Sequence, residues 1–305
     1  MASIPGSIDT TRRPLSEVSA RPSPLQRAVA VWRYRELLVS LVRKELKIKY
    51  KNSALGFIWS LLNPALYLVV FYVVFQIFLK AGLPYFPIFL LAGLLPWNLF
   101  GTALGAGTVS ISSNASLVTK VWFPREILPL AAIGAGLVHF MLQTMVLLAA
   151  LLVFRYEPAY GYLPLIPLAL FTLVLLVVAL SIGLAAINVY ARDTQHLLEL
   201  ALLAWFWMTP IVYPYRQVAD RVGSLFLLNP ITPIVITFQR ALYNRTESVT
   251  RSKAGVVATT HVLPASANWL WYARNLGIVI AVSAVLLLGA LAIFGRLEDN
   301  FAEEI

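Results

Sequence analysis

The chain has no cysteine. This excludes disulfides, thiolate metal sites and cysteine nucleophiles, and it says nothing about compartment. Charge is scarce too: only 12% of the 305 residues carry it, against about 25% in soluble globular proteins. No Gly-x-x-x-x-Gly-Lys-Ser/Thr loop occurs, so nucleotide phosphates have no cradle of that kind. No carboxylate lies deep in an apolar run, where proton- or sodium-coupled carriers place theirs. His139 is the only deep titratable group, and a histidine in such a place is either a packed, hydrogen-bonded residue or a proton relay. No acidic pair suits a metal-dependent prenyl-phosphate transferase, no Ser/His/Asp grouping is legible, and no metal-ligand cluster stands out.

What is present is apolar. Hydrophobic residues make up 59% of the chain and mean hydropathy is +0.77, which marks an integral membrane protein. The net charge of +10 sits largely before Phe57. Its expected counter-charge is anionic phospholipid rather than nucleic acid.

One stretch, Arg33 to Leu66, organises the rest. Tyr34, Leu38, Leu41, Val42, Leu46 and Ile48 recur at three- and four-residue spacing, on one side of a helix, while Arg43, Lys44, Lys47, Lys49 and Lys51 crowd the other. Such a helix is expected to lie flat at an anionic membrane surface, with a solvated helix on a soluble domain as the alternative. Asn52 to Gly56 interrupts the pattern, and from Phe57 to Leu79 the chain is apolar. At about 1.5 Å per residue that run reaches about 34 Å, enough to cross a bilayer core.

Further spans are expected at Pro87–Val109, Ile127–Phe154, Leu163–Tyr190, Leu197–Tyr213 and Trp271–Phe294. In the second, Gly101, Gly105 and Gly107 are small residues suited to close helix packing, and Pro96 permits a kink or break. Leu225–Phe238 is apolar but short and broken by Asn229-Pro230 and Pro233, so it reads as a re-entrant or interfacial hairpin. The expected fold class is all-α: a polytopic membrane protein of about six spans with both termini on one side. Basic residues before the first span, and Lys120, Arg125 and Arg192 between later ones, place that side in the cytoplasm. The loop Tyr215–Asn268 is placed outside despite six basic residues, because long translocated loops obey the charge rule poorly. Residues 1–25, rich in Pro, Ser and Arg, read as a disordered tail. Residues 26–56 form the interface helix and turn, 57–296 the membrane domain with an outer loop at about 214–268, and 297–305 an acidic tail.

A basic interface helix, a Leu55-Gly56 turn and a first span opening with Trp59, Leu62, Pro64 and Leu66 resemble the start of type 2 ABC exporter permeases, in particular the Wzm-like subunits that export lipid-linked polysaccharides such as O antigens. Later motifs extend the resemblance from about Arg33 to about Arg296. Lys120, Phe123, Pro124 and Arg125 match the family's Lys-x-x-Phe-Pro-Arg core, which docks into the ATPase subunit. With Trp122 and Glu126 they form an aromatic pair beside charges, suited to a protein anchor; an ordinary interfacial turn is the alternative. Arg192 and Asp193 follow the fourth span as in the family, or they pair with each other or cap the next helix. Met208 to Pro214 resembles the family's Ser-Pro-Val-x-Tyr-Pro element with Thr209 for Ser, and Tyr213, Asn229, Pro230, Pro233 and Arg240 fall on its external gate.

The resemblance implies transport energised from outside this chain. The expected assembly is a second copy of the chain and a pair of ATP-binding cassette ATPase subunits that carry ATP and Mg, with no cofactor of its own. Near the expected portal at Leu55-Gly56, Arg43, Lys44, Lys47, Lys49 and Lys51 would receive the diphosphate of a polyprenyl-linked polysaccharide. Tyr67, Phe71, Phe75 and Phe78 share one face of the first span and, with Trp97, Phe100, Trp205 and Trp207, either line a path for sugars or pack helices. Other readings are export of a small lipid or drug, and a membrane-embedded glycan or lipid-carrier enzyme. The enzyme would need an external acid, and Glu157, Asp220 and Glu247 show no pairing.

Overall fold

The computed structural model of the chain describes residues 23–51, 58–78, 83–245, 247–251, 257–264 and 267–304. The tail before Ser23 and the Leu55-Gly56 turn lie outside the described residues. Helices dominate: α1 (Pro24–Arg33), α2 (Arg35–Tyr50), α3 (Ile58–Tyr72), α4 (Phe86–Val109), α5 (Ala115–Lys120), α6 (Ile127–Val153), α7 (Leu165–Tyr190), α8 (Thr194–Trp207), α9 (Tyr215–Val222), α10 (Ile231–Tyr243), α11 (Trp269–Leu297) and α12 (Phe301–Glu304). One departure from an all-helical chain is an antiparallel ribbon, β1 (Glu247–Arg251) with β2 (Val257–His261), in which Val249 lies opposite Thr259.

Among the described residues, four helices are long and apolar enough to cross a membrane: α4, α6, α7 and α11. Each lies within about three residues of the expected span, because an uninterrupted apolar run leaves the backbone no alternative to helix in lipid. The other two expected spans differ. After Tyr72 the helix α3 widens into a π-turn over Val73–Phe78. Helix α8 stops at Trp207, short of the expected Tyr213, so its 14 residues rise only about 21 Å. Pro210 and Pro214 lack the N–H that would continue the ladder, and Thr209 instead donates its hydroxyl to Trp205 O at 2.8 Å. The expected break is present: α9 and the 3-10 turn Gly223–Leu228 meet α10 at a bend of 120°, the geometry of a broken span or a re-entrant loop.

Helix α4 is the hub, buried on nearly every face and contacting α3, α6, α7, α8 and α10. Gly136 of α6 lies where an added Cβ would meet the Cβ of Ala103 at 3.1 Å, and at Gly107 it would meet Ser181 Oγ at 2.6 Å. Gly101 and Gly105 behave otherwise: nothing approaches within 4 Å, so they are not packing positions within the protomer. The most extensive helix pair is α7 with α11.

Helix α2 packs its apolar stripe against the bundle. Leu41 is buried, and Tyr34, Leu38 and Val42 pack with it against Ile127, Leu128 and Ala131 of α6. The apolar stripe faces protein, with Ile48 left exposed at its end. Helix α1 and residues 297–304 meet at the same end of the bundle, since Arg27 bonds Glu298. The expected acidic tail is instead a hook, a 3-10 turn Glu298–Asn300 followed by α12, pinned by the fully buried Phe301.

Candidate docking and channel sites

Residues 120–126 join α5 to α6 at the end that carries both described termini. The aromatic pair is split. Trp122 is 84% exposed, whereas Phe123 is 4% exposed and belongs to the cluster of Leu41, Ile127, Leu128 and Phe301. The extended backbone at Val121 explains this, because successive side chains then point to opposite faces. Lys120 remains exposed, and Pro124 is half-buried.

The neighbouring charges are committed inward. Glu126 is buried and accepts from the Arg27 guanidinium, which also donates to both carboxylate oxygens of Glu298. Arg125 donates to the Glu298 carbonyl and lies 5.6 Å from the Phe301 ring. Arg125 and Glu126 therefore hold this segment to the rest of the chain rather than present register-setting charge to a partner. Burial opposes the Arg27 charge most strongly, but Glu298 and Glu126 together outweigh it and raise its pKa above the ordinary arginine range. Beside this triad lies a groove of about 510 Å³, lined by Arg27, Trp122, Pro124 and Asp299 among others.

The second expected docking turn is at the same end. Arg192 and Asp193 are exposed, and Asp193 makes no side-chain cap to α8, so the capping alternative does not hold. Tyr190 just before them donates to the Leu297 carbonyl at 2.8 Å and lies 6.2 Å from Phe301.

On α2, Arg43, Lys44, Lys47 and Lys49 are exposed, as is Lys51 just past its end. The Lys44 ammonium donates to Asn114 Oδ1 at 2.6 Å, and partial burial lowers the Lys49 pKa.

The expected channel aromatics separate into two groups. Phe100 is fully buried, its ring 5.0 Å from Trp205, and Trp97 packs edge-on against Phe206 at 5.6 Å. Both pack against α8, on a buried face of α4. Tyr67 and Trp207 are exposed, while Phe71, Phe75 and Trp205 are half-buried. Phe71 stacks on Tyr67 and on Phe206, each at 6.1 Å, and Phe75 on Phe86 at 5.9 Å. Phe78 is 74% exposed, because the π-turn rotates it off the stripe that a regular helix would give.

Of the expected gate residues, Tyr213, Asn229 and Pro230 line one groove, whereas Pro233 is buried within α10 and Arg240 lies at the other end of that helix. Asn229 is the knot: its Oδ1 accepts from Trp205 Nε1 at 2.7 Å and from Ile231 N at 3.1 Å, and its Nδ2 donates to Met208 O at 3.1 Å and Thr209 Oγ1 at 3.0 Å. Tyr213 donates to Trp207 O at 2.7 Å. Pro230 and Pro233 sit where a missing N–H costs nothing, just before and within the first turn of α10. Arg240 lies 4.2 Å over the Tyr162 ring and bonds Asn244 Oδ1 at 3.0 Å. A groove of about 940 Å³ opens here between Phe75, Trp205, Trp207, Tyr213, Asn229 and Arg221.

Arg27, Glu298 and Arg221 were not singled out from the sequence as site residues. The Arg27 element had a local signal, since Ser23-Pro24-Leu25-Gln26 spells a capping box and both of its hydrogen bonds are made. Glu298 is 271 positions away and has no local signal.

Apolar helices long enough to cross a bilayer, with the ends of the described chain and the Arg27, Glu126 and Glu298 cluster gathered at one end, make this a multi-pass membrane protein. The chain belongs to the ABC-2 type transporter family, which it matches over residues 36–243. It is 36% identical over 282 residues to the O-antigen export system permease protein RfbA of Myxococcus xanthus, covering 90% of this chain and 97% of that protein. A protein of the same description from Klebsiella pneumoniae is 26% identical over 268 residues, covering 88% and 94%. The polysialic acid transport protein KpsM of Escherichia coli is 23% identical over 205 residues, covering 64% and 77%. The resemblance carried by Trp59, Leu62, Pro64, Leu66 and the later motifs thus holds at the level of the family.

Proposed function

We propose that this chain is the membrane-spanning, channel-forming subunit of an ATP-driven exporter of polyprenyl-diphosphate-linked polysaccharide in the cytoplasmic (inner) membrane. It works as a homodimer with a pair of ATP-binding cassette subunits that bind ATP and Mg. The observation that carries this reading is its likeness to an O-antigen export permease over nearly that protein's whole length. The end with Arg27, Lys120, Arg125 and Arg192 faces the cytoplasm, in keeping with the distribution of basic residues. Trp122 docks the ATPase, because it is a large aromatic held in solvent on an anchored segment. Lys47, Lys49 and Lys51 attract the anionic lipid carrier, and the sugars pass the exposed edge of Tyr67, Trp205 and Trp207 towards the Asn229 gate.

The test is reconstitution with the cognate ATPase. The purified chain alone hydrolyses no ATP; the complex does, and moves lipid-linked glycan across the membrane. Trp122→Ala leaves the chain inserted but weakens ATPase retention, with about 2 kcal/mol lost at an interface centre. Full retention by that variant with normal export would sink the docking assignment.

A further inference from the structure

The segment proposed to meet the ATPase and the second expected docking turn are fastened to one element, the C-terminal hook. Residues 120–126 reach it through Arg125, which donates to the Glu298 carbonyl and lies over Phe301. The Tyr190–Asp193 turn reaches it through the hydroxyl of Tyr190, which donates to Leu297 O at 2.8 Å. Arg27 closes the arrangement from the other end of the chain, its guanidinium shared between Glu126 and Glu298. The site is built to hold that side chain. Arg27 and Glu126 are buried, and a Cβ at Gly295 would stand 2.7 Å from Arg27 Nη2, so the guanidinium would have to shift to admit it.

A buried Arg–Glu–Glu cluster is a poor way to gain stability, because desolvating the charges costs about as much as their attraction returns. Its physical advantage is geometric. A planar guanidinium forked between two carboxylates fixes the relative position of everything attached to them. Here those attachments are α1, the start of α6 and the end of α11. Helix α11 in turn packs along α7, with Gly183 and Ala290 in close contact, and α7 ends at Tyr190.

We infer that Arg27 is a positioning residue for coupling: through Glu126 and Glu298 it locks the two docking segments and the C-terminal hook into one rigid body, so that the ATPase stroke moves α6, α7 and α11 together. This rests on the docking assignment proposed above. A contact that served docking alone would need none of this, since Trp122 stands outside the clasp and is already exposed.

The experiment uses the full complex in proteoliposomes and reads two quantities: ATPase retained per permease, and glycan exported per ATP hydrolysed. In Arg27→Met the ATPase stays bound and ATP turnover continues, but export per ATP falls about tenfold, within the ordinary range of coupling effects. Arg27→Lys keeps the charge, loses the fork and gives an intermediate ratio. The absence of cysteine from the chain permits a cleaner arm. Arg27→Cys with Glu298→Cys is uncoupled as prepared and regains export per ATP when a bifunctional methanethiosulfonate joins the two thiols. This pair also serves if Arg27→Met fails to fold. An unchanged ratio in Arg27→Met, loss of the ATPase itself from that variant, or a cross-link that abolishes export would each overturn the inference. If the wild-type chain retains no ATPase, or Trp122→Ala retains all of it, the docking assignment falls first and this inference with it.

Discussion

Trp122 and Phe123 are neighbours in the chain and opposites in the structure, and the consequences of truncating each differ accordingly. Phe123 fills a cavity among Leu41, Ile127 and Phe301, so Phe123→Ala is expected to cost about 3–5 kcal/mol of stability. Trp122→Ala leaves no cavity and should change stability by no more than about 0.5 kcal/mol, with its whole effect on partner binding. Thermal unfolding of the two single variants in detergent distinguishes them, whereas a double substitution would confound docking with folding. Gly295 offers a second residue-level test. Alanine there pushes the Arg27 guanidinium off Glu126 and Glu298, at a cost of about 1–3 kcal/mol for the buried groups left unpaired. In an Arg27→Met background the same change should cost much less, because the clashing Nη2 is gone. Equal costs in both backgrounds would show that the glycine serves something other than the clasp. Protonation of Arg27 does not enter, because Glu126 and Glu298 raise its pKa and its charge persists throughout the physiological range.

At the scale of elements, legibility followed the kind of signal. Helices α4, α6, α7 and α11 were readable because a long apolar run has one fate in lipid. The bend before α10 was readable because Asn229-Pro230 interrupts such a run. Which way α2 turns its stripe was not readable, since Leu41 and Val42 make the same pattern whether they meet lipid or α6. The hook was missed because Glu298 to Glu304 is acidic and only Phe301 hints at burial. The π-turn at Val73–Phe78 left no mark in spacing, and so the aromatic stripe was drawn one residue too far. The glycines of α4 show the same limit: by spacing Gly105 and Gly107 are alike, but only Gly107 has a neighbour. Gly107→Ala must displace the Ser181 side chain and should destabilise by about 1–3 kcal/mol. Gly105→Ala meets nothing in the protomer and should be neutral or stabilising by up to about 1 kcal/mol. A strong loss of assembly, but not of folding, from Gly105→Ala would place that open face against the second copy of the chain.

For the whole molecule, turning the α2 stripe inward leaves Lys47, Lys49 and Lys51 exposed, with the Lys49 ammonium partly buried, all three on the segment expected to meet the lipid carrier. None of the ion pairs among the described residues uses these three lysines. If their role is to concentrate an anionic diphosphate at the membrane, the effect is electrostatic and long in range. Each charge is worth about 1 kcal/mol near an anionic surface. Replacing all three with Gln should therefore weaken carrier recruitment by up to about 3 kcal/mol, roughly a hundredfold, at low salt. Insertion should survive, because the apolar spans carry it. Raising ionic strength from 0.1 to 1 M shortens the screening length from about 10 to about 3 Å. Uptake of the lipid-linked glycan by the wild-type complex should then fall towards that of the triple variant, whose own uptake should hardly respond to salt. Direct and specific lysine–diphosphate contacts predict another pattern, in which the wild type keeps most of its advantage at 1 M because a close pair is screened little. A triple variant that matches the wild type at limiting substrate and low salt would reduce these lysines to a signal for membrane orientation.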